Sequence, residues 1–302
     1  MVEAPVRGGW SAARAASRST FVFPNTTAEY PGHLSPSQVT SFLRCAECYR
    51  LARIEKIPRP LSIHLPIGSA VHKAIEHARL RNLDGTVDAH SSDEIAAEWF
   101  DQEVAAPADP EDGAPLAEVD LKSYDSLGKA KDVAVALARF AVPKILALDR
   151  QRGKIAAVEY NLLALSSPYP FRMEGRLDAL YCDWLAEGKP EDATIMADTK
   201  TSAKQEPPDE YTAIAQTIYE EFWSSRGKPL VVLADVIDKR VHPEVKTYPL
   251  MVDEYARALT HRTVMGVAED IAAGRFRPTP NWSCDYVHGF AEFQLAVQGF
   301  AA

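Results

Sequence analysis

Residues 195–204 read IMADTKTSAK: an apolar run, an acid, one spacer, a lysine, then small polar residues. Side chains two apart on a strand share a face, so a strand here sets Asp198 and Lys200 side by side. An acid and a lysine at a strand end are more often a solvated edge than a reaction centre. The pair gains meaning only if other segments bring partners to it.

The segment FRMEGRLDALY (residues 171–181) supplies one. Alternation puts Phe171, Met173, Gly175, Leu177, Ala179 and Tyr181 on one face and Arg172, Glu174, Arg176 and Asp178 on the other. If this strand neighbours ATIMADTK (residues 193–200), Asp178 and Asp198 converge as a shared divalent cation requires. Oxygen ligands of this kind favour Mg²⁺ or Mn²⁺. Lys200 then sits beside the ion, able to hold an attacking water and offset charge on five-coordinate phosphorus.

A helix over IGSAVHKAIEHA (residues 67–78) adds a third element. Gly68, His72 and Glu76 are spaced four apart and share a helical face. Gly68 allows close backbone approach, His72 offers an imidazole ligand to the same cation, and Glu76 can orient that imidazole from behind. A lone histidine on a helix is more often packed or solvated than a ligand. His77 points elsewhere, so a two-histidine zinc or iron site is not supported.

Around these motifs the pattern is helical first and strand-rich later. Residues 33–57, HLSPSQVTSFLRCAECYRLARIEKI, read as one helix capped by Ser35 or Ser37 and stopped by Pro58 and Pro60. Val39, Phe42 and Leu43 line its apolar side; Arg44, Arg50, Arg53 and Lys56 line the other. Residues 82–120 read as a variable acidic insertion with one helix near DEIAAEWFDQEV, and residues 121–150 as helix. Strands follow at IAAVEYNLLAL, FRMEGRLDALY and ATIMADTK, then a helix, YTAIAQTIYEEFWSSRG. Strands KPLVVLADVID and VKTYPLMV and a helix ending at Gly274 close the chain's pattern. This order predicts an α/β fold, a central mixed sheet flanked by helices with an N-terminal helical part. Residues 1–30 are expected to form a flexible arm and residues 31–302 a single domain.

The chain of 302 residues carries a formal charge of −9, which argues against a nucleic-acid coat but not against an enzyme with a local basic groove. No apolar run approaches the ~20 residues that span a bilayer, and the N-terminus lacks the apolar core of a secretory signal. Four cysteines, Cys45, Cys48, Cys182 and Cys284, are too few and scattered for a secreted disulfide scaffold. The expectation is a cytoplasmic protein without membrane contact. No GxxxxGK[ST] loop is present, so the chain is not itself a helicase.

Together these residues resemble the PD-(D/E)XK nuclease superfamily, in particular its RecB-like exonuclease branch. That branch includes the CRISPR-associated adaptation nucleases and AddB-type nuclease domains. LSPSQVTSFLRCAECYRL is similar to the branch's opening motif, IGSAVHKAIEHA to its G..vH..lE helix, MEGRLDAL to its v.G.iDll strand, and MADTKTS to its v.DyKT signature. Each motif is weak alone; four in order are specific. The resemblance implies a restriction-endonuclease-like core, with metal ligands at His72, Asp178, Asp198 and the Thr199 carbonyl. It implies a catalytic lysine at Lys200, Mg²⁺ or Mn²⁺ as cofactor, and hydrolysis of DNA phosphodiesters, usually from an end.

The sequence departs from the branch in three ways. The branch carries Gln-x-x-x-Tyr after the lysine strand. Here Gln216 and Tyr219 are three apart, which still shares a helical face and leaves DNA positioning open beside plain core packing. Relatives that hold a [4Fe–4S] cluster use one early and three late cysteines. Here Cys45 is early, Cys284 stands alone late, and Val287 takes the next position, so no cluster is expected. The acidic balance means that any DNA groove is local. Arg44, Arg50, Arg53, Lys56, Arg172, Arg176, Lys204, Lys239 and Arg240 are its candidates, none assigned individually.

The reading is an Mg²⁺- or Mn²⁺-dependent DNA exonuclease of recombination, repair or phage DNA processing, acting on single strands or duplex ends. The alternative is a non-catalytic nuclease-fold module that binds DNA or docks on a helicase; retention of Asp178, Asp198 and Lys200 favours activity. An unrelated metalloenzyme such as an oxygenase is disfavoured by the missing second histidine and by Lys200. A separate helicase or recombination partner is compatible with the sequence, but no residue argues for it.

Overall fold

The computed structural model describes residues 33–56, 60–84, 91–105, 119–225, 227–228, 230–240 and 242–279. The expected N-terminal arm, Pro58, Cys284 and much of the acidic insertion lie outside these residues.

Ser35 is extended before Pro36 and accepts the Gln38 N–H, which opens α1 (Pro36–Arg44). The single helix expected over residues 33–57 is broken. Cys45 takes an extended backbone, its sulfur accepts the Cys48 N–H, and the chain restarts as α2 (Ala46–Tyr49) with a π-helical turn, Arg50–Ile54. Val39, Phe42, Cys45, Cys48 and Tyr49 are all buried, so inward spacing survives the break and hides it from periodicity.

A short β1 (Leu61–Ser62) leads into α3 (His64–Asp84), followed by α4 (Ser92–Ala105). β1 pairs in parallel with β2 (Val119–Asp120), a contact no local pattern marks. α5 (Leu127–Arg152) ends at Gly153, where φ is 129° and a Cβ would stand 2.3 Å from the Cys182 carbonyl oxygen. Only glycine fits there.

The sheet follows from β3 (Lys154–Asn161), β4 (Arg176–Cys182), β5 (Ile195–Ser202), β6 (Val231–Asp238) and β7 (Val245–Leu250). α6 (Glu210–Ser224) links β5 to β6, and α7 (Glu254–Ala272) follows β7. The strands lie in chain order; only β5–β6 is parallel, as its helical crossover requires. β4 begins at Arg176 rather than Phe171, because Leu34 takes up the preceding residues. It donates to the Arg172 carbonyl at 3.1 Å and accepts the Glu174 N–H at 2.8 Å. Alternation therefore runs on beyond the strand that it seemed to define.

Two apolar layers cover the sheet. Val39, Phe42, Phe222, Trp223, Val264 and Ile271 from α1, α6 and α7 pack with Leu180, Met196 and Val232. Ile67, Val71, Ile75, Phe100, Leu137 and Ile145 from α3, α4 and α5 form the second cluster. A buried polar network ties this second layer to the strands. Arg79 donates to Asp149 at 3.0 and 3.2 Å, the Tyr181 hydroxyl to Asp149 at 2.5 Å, and Arg152 to Asp235 at 2.7 and 2.6 Å. Among the described residues no helix is long and apolar enough to cross a membrane.

Candidate active site

β4 and β5 carry the two expected acids to one place. Ala179 pairs with Ala197, so Asp178 and Asp198 follow as neighbours at the end of that ladder. Both are buried, at 9 % and 7 % exposure. Asp178 Oδ2 accepts the Thr199 N–H at 2.7 Å and lies 2.8 Å from His72 Nε2. Asp198 is held at both oxygens. Lys200 Nζ is 2.9 Å from Oδ1, and Gln216 Nε2 donates to Oδ2 at 2.9 Å. His72 from α3, Asp178 from β4, Asp198, Thr199 and Lys200 from β5, and Gln216 from α6 thus form one hydrogen-bonded cluster.

Gly68 explains how α3 comes so near. A Cβ at Gly68 would stand 2.8 Å from Thr201 Oγ1 on β5, one helical turn before His72. Glu76 is not brought to His72: Lys73 takes its carboxylate at 2.8 and 2.9 Å. Tyr219 is half-buried at the rim, where a Cβ on Gly175 would meet its Cε1 at 3.0 Å, whereas Phe222 and Trp223 belong to the core. A cavity of about 530 Å³ opens over the cluster, lined by His72, Lys73, Glu76, Asp178, Lys200 and Tyr219 among others.

The acid beside His72 is one that sequence reasoning missed. Glu159 Oε1 lies 3.8 Å from His72 Nδ1. On β3 it falls between the pairs Val158–Ala179 and Tyr160–Leu177, directly across from Asp178. Its φ is 52°, a left-handed conformation that costs a residue with a side chain. The one signal available was a lone acid in an apolar strand, which by itself selects nothing.

Buried carboxylates this close resist ionising together. Burial raises the Asp198 pKa, and Asp178 adds to that while Lys200 opposes it. Asp178 overcomes its own burial and is held well below the usual carboxylate range, chiefly by His72. The Asp178 carboxylate in turn raises His72. Burial opposes charge on Lys200, but Asp198 and Asp178 outweigh it and raise the pKa. Glu159 is raised by burial and by Asp178.

The residues present fit a hard divalent cation. His72, Glu159 and Asp178 offer ligand atoms all within 4.8 Å of one another. Glu159 Oε1 is buried with no hydrogen-bond partner among the described residues. Like charges directly across a strand pair repel, and a cation taking two carboxylates and an imidazole would relieve both acids. Cys45 and Cys48 pack on each other, whereas Cys182 donates to the Lys154 carbonyl.

A mixed sheet of this order between two helical layers, with an acid-x-lysine strand facing a second acid, defines a restriction-endonuclease-like α/β fold. The chain belongs to the PD-(D/E)XK nuclease superfamily, whose family model matches residues 33–286. Among solved structures it is similar to a "putative exonuclease" from Eubacterium rectale, with TM-score 0.51 and 13 % identity. That match covers 84 % of this chain and 86 % of the other, and at such identity it shows the fold alone. The protein SSO0001 matches 53 % of this chain and 74 % of its own at 20 % identity, with a TM-score of 0.29 that carries no argument. The comparison with curated proteins gives no match.

Proposed function

We propose that the chain is a Mg²⁺- or Mn²⁺-dependent DNA nuclease of the RecB-like branch, acting from strand ends through one nuclease domain. What supports this reading most is the convergence of His72, Asp178, Asp198 and Lys200 from three separate elements into one cluster under an open cavity. His72, Glu159 and Asp178, whose ligand atoms gather, would hold the ion, and Asp198 and the Thr199 carbonyl beside them would complete the set that the family resemblance implies. A bound divalent cation polarises the scissile phosphate and lowers the pKa of a water.

The chain's own residues then divide the remaining work. Lys200 Nζ lies 2.9 Å from Asp198 Oδ1 at the cavity wall, where it can donate to the attacking water or to a phosphate oxygen. Gln216 fixes the Asp198 carboxylate and keeps it in register with Lys200. Water adds to phosphorus and gives up a proton to solvent, the bond to the leaving sugar oxygen breaks, and that oxygen takes up a proton from solvent. The test is incubation of linear single- and double-stranded DNA with Mg²⁺ or Mn²⁺, comparing wild type with Asp198→Ala and Lys200→Ala. Degradation lost in both variants supports the assignment, and degradation surviving both removes it. A wild type inert with every metal points to a non-catalytic nuclease-fold module.

A further inference from the structure

Two cavities meet at the candidate site. The second, of about 650 Å³, is lined by His64, Leu65, Gly68, Thr201 and Lys239, and it shares Ser69, His72 and Lys200 with the first. A groove therefore runs past the cluster on both sides. Most basic side chains along it already have an acid. His33 is 3.4 Å from Glu174, Arg44 3.0 Å from Asp209, Lys73 2.8 Å from Glu76 and Arg176 3.4 Å from Glu159. His72 and Lys200 are likewise held by Asp178 and Asp198.

His64 and Lys239 are different. Among the described residues neither has a carboxylate at ion-pair distance, and Asp120, the acid nearest in effect to His64, is paired with Lys122. Burial lowers the pKa of both, and the Lys239 charge lowers His64 further. α3 begins at His64, so the positive end of its dipole lies at the same place. Glu103, the acid that lines this cavity, accepts the Ser69 hydroxyl at 3.1 Å and is not paired with Lys239, so Lys239 lines the same cavity as Lys200 without an acid at ion-pair distance. An anion bound in the second cavity would give Lys239 a partner.

We propose that Lys239, with His64 beside it, forms a subsite for a backbone phosphate of the substrate strand, next to the phosphate being cleaved. The proposal rests on the nuclease reading for the identity of the anion. The half-exposed Leu65 on the same wall gives apolar surface for a sugar or base edge. Other basic residues of the sequence fit this role less well. Arg50, Arg172, Lys204 and Arg240 are each taken up by a neighbouring glutamate or aspartate, and Arg53 is buried.

The test is fluorescence anisotropy of a dye-labelled single-stranded oligonucleotide with Ca²⁺, using the full chain, across a salt series. Lys239→Ala is expected to bind about tenfold more weakly, with a salt slope shallower by about 0.7, while Lys239→Arg retains binding. With Mn²⁺, Lys239→Ala should raise KM for the oligonucleotide more than it lowers kcat. Wild-type affinity and salt slope in Lys239→Ala would overturn the subsite, and so would a fall in kcat with KM unchanged. Thermal melts check that both variants fold. If wild type cleaves nothing, the nuclease reading fails on its own, while the anisotropy still decides whether Lys239 holds a phosphate.

Discussion

Glu159 faces Asp178 across the β3–β4 pair, and both acids approach one imidazole, with His72 at 3.8 Å from the first and 2.8 Å from the second. Two carboxylates opposed on neighbouring strands would ordinarily be selected against. Here the imidazole of α3 lies against both acids, so that all three side chains offer ligand atoms to one divalent cation. Glu159→Gln should therefore raise the Mn²⁺ concentration for half-maximal cleavage by about tenfold or more. Its melting temperature in EDTA should match or exceed wild type, because the repulsion is gone. An unchanged metal requirement in a metal titration would exclude Glu159 from the site.

Gln216 is the donor that steadies Asp198. Gln216→Ala leaves Asp198 Oδ2 buried without that bond, at a cost of about 1–3 kcal/mol in urea unfolding. Cleavage should fall as Asp198 drifts from Lys200. Gln216→Glu should be worse, since it sets a further carboxylate against one whose pKa burial already raises.

Gly68→Ala tests the close approach of α3 to β5. The added methyl meets Thr201 Oγ1, and the β-branched threonine has little freedom to turn away. Overpacking of this kind costs about 1–3 kcal/mol, set against the gain of about 1 kcal/mol in helix propensity. The sharper effect should fall on cleavage, because displacing α3 moves His72. The double variant Gly68→Ala/Thr201→Ala should recover activity, as read from a double-mutant cycle. Equal loss in the double variant would mean that this contact does not set the helix position.

Asp209 caps α6, the helix that carries Gln216. It accepts the Thr212 N–H at 2.8 Å and the Thr212 hydroxyl at 2.6 Å, and it pairs with Arg44 at 3.0 Å. Partial burial opposes ionisation, but the Thr212 bonds and Arg44 together hold its pKa below the ordinary 3.8. The folded value is the lower one, so the stabilisation is complete above the unfolded value and fades as pH falls through the folded value. Asp209→Ala should cost about 1 kcal/mol at neutral pH. Its deficit relative to wild type should shrink below about pH 4, as urea unfolding at a series of pH values will show.

Much of this was legible in the chain. Asp198 and Lys200 share a face by strand period, and the run from Gly175 to Asp178 predicted the neighbouring acid. His72 followed from its spacing to Gly68. What stayed hidden was set by contacts between distant segments. Cys45 breaks a helix whose inward residues keep their spacing on both sides. Residues 171–175 alternate like strand but pair with Leu34. Glu159 gains its place only when β3 lies along β4, and Glu76 loses its expected partner to Lys73 one turn back on the same helix. Two of the four basic residues of the first helical segment likewise turned out to be paired with acids. Arg50 pairs with Glu47 and Glu55, and Arg44 with an aspartate far along the chain.

In the proposed reaction Lys200 acts on the attacking water or the phosphate while the neighbouring acids and His72 hold the ion. Single-turnover cleavage of end-labelled DNA by Lys200→Met at saturating Mn²⁺, with Mn²⁺ affinity measured on the same sample, separates these roles. The rate should fall about 100-fold or more while metal affinity is retained. Cleavage at the wild-type rate by Lys200→Met would contradict it.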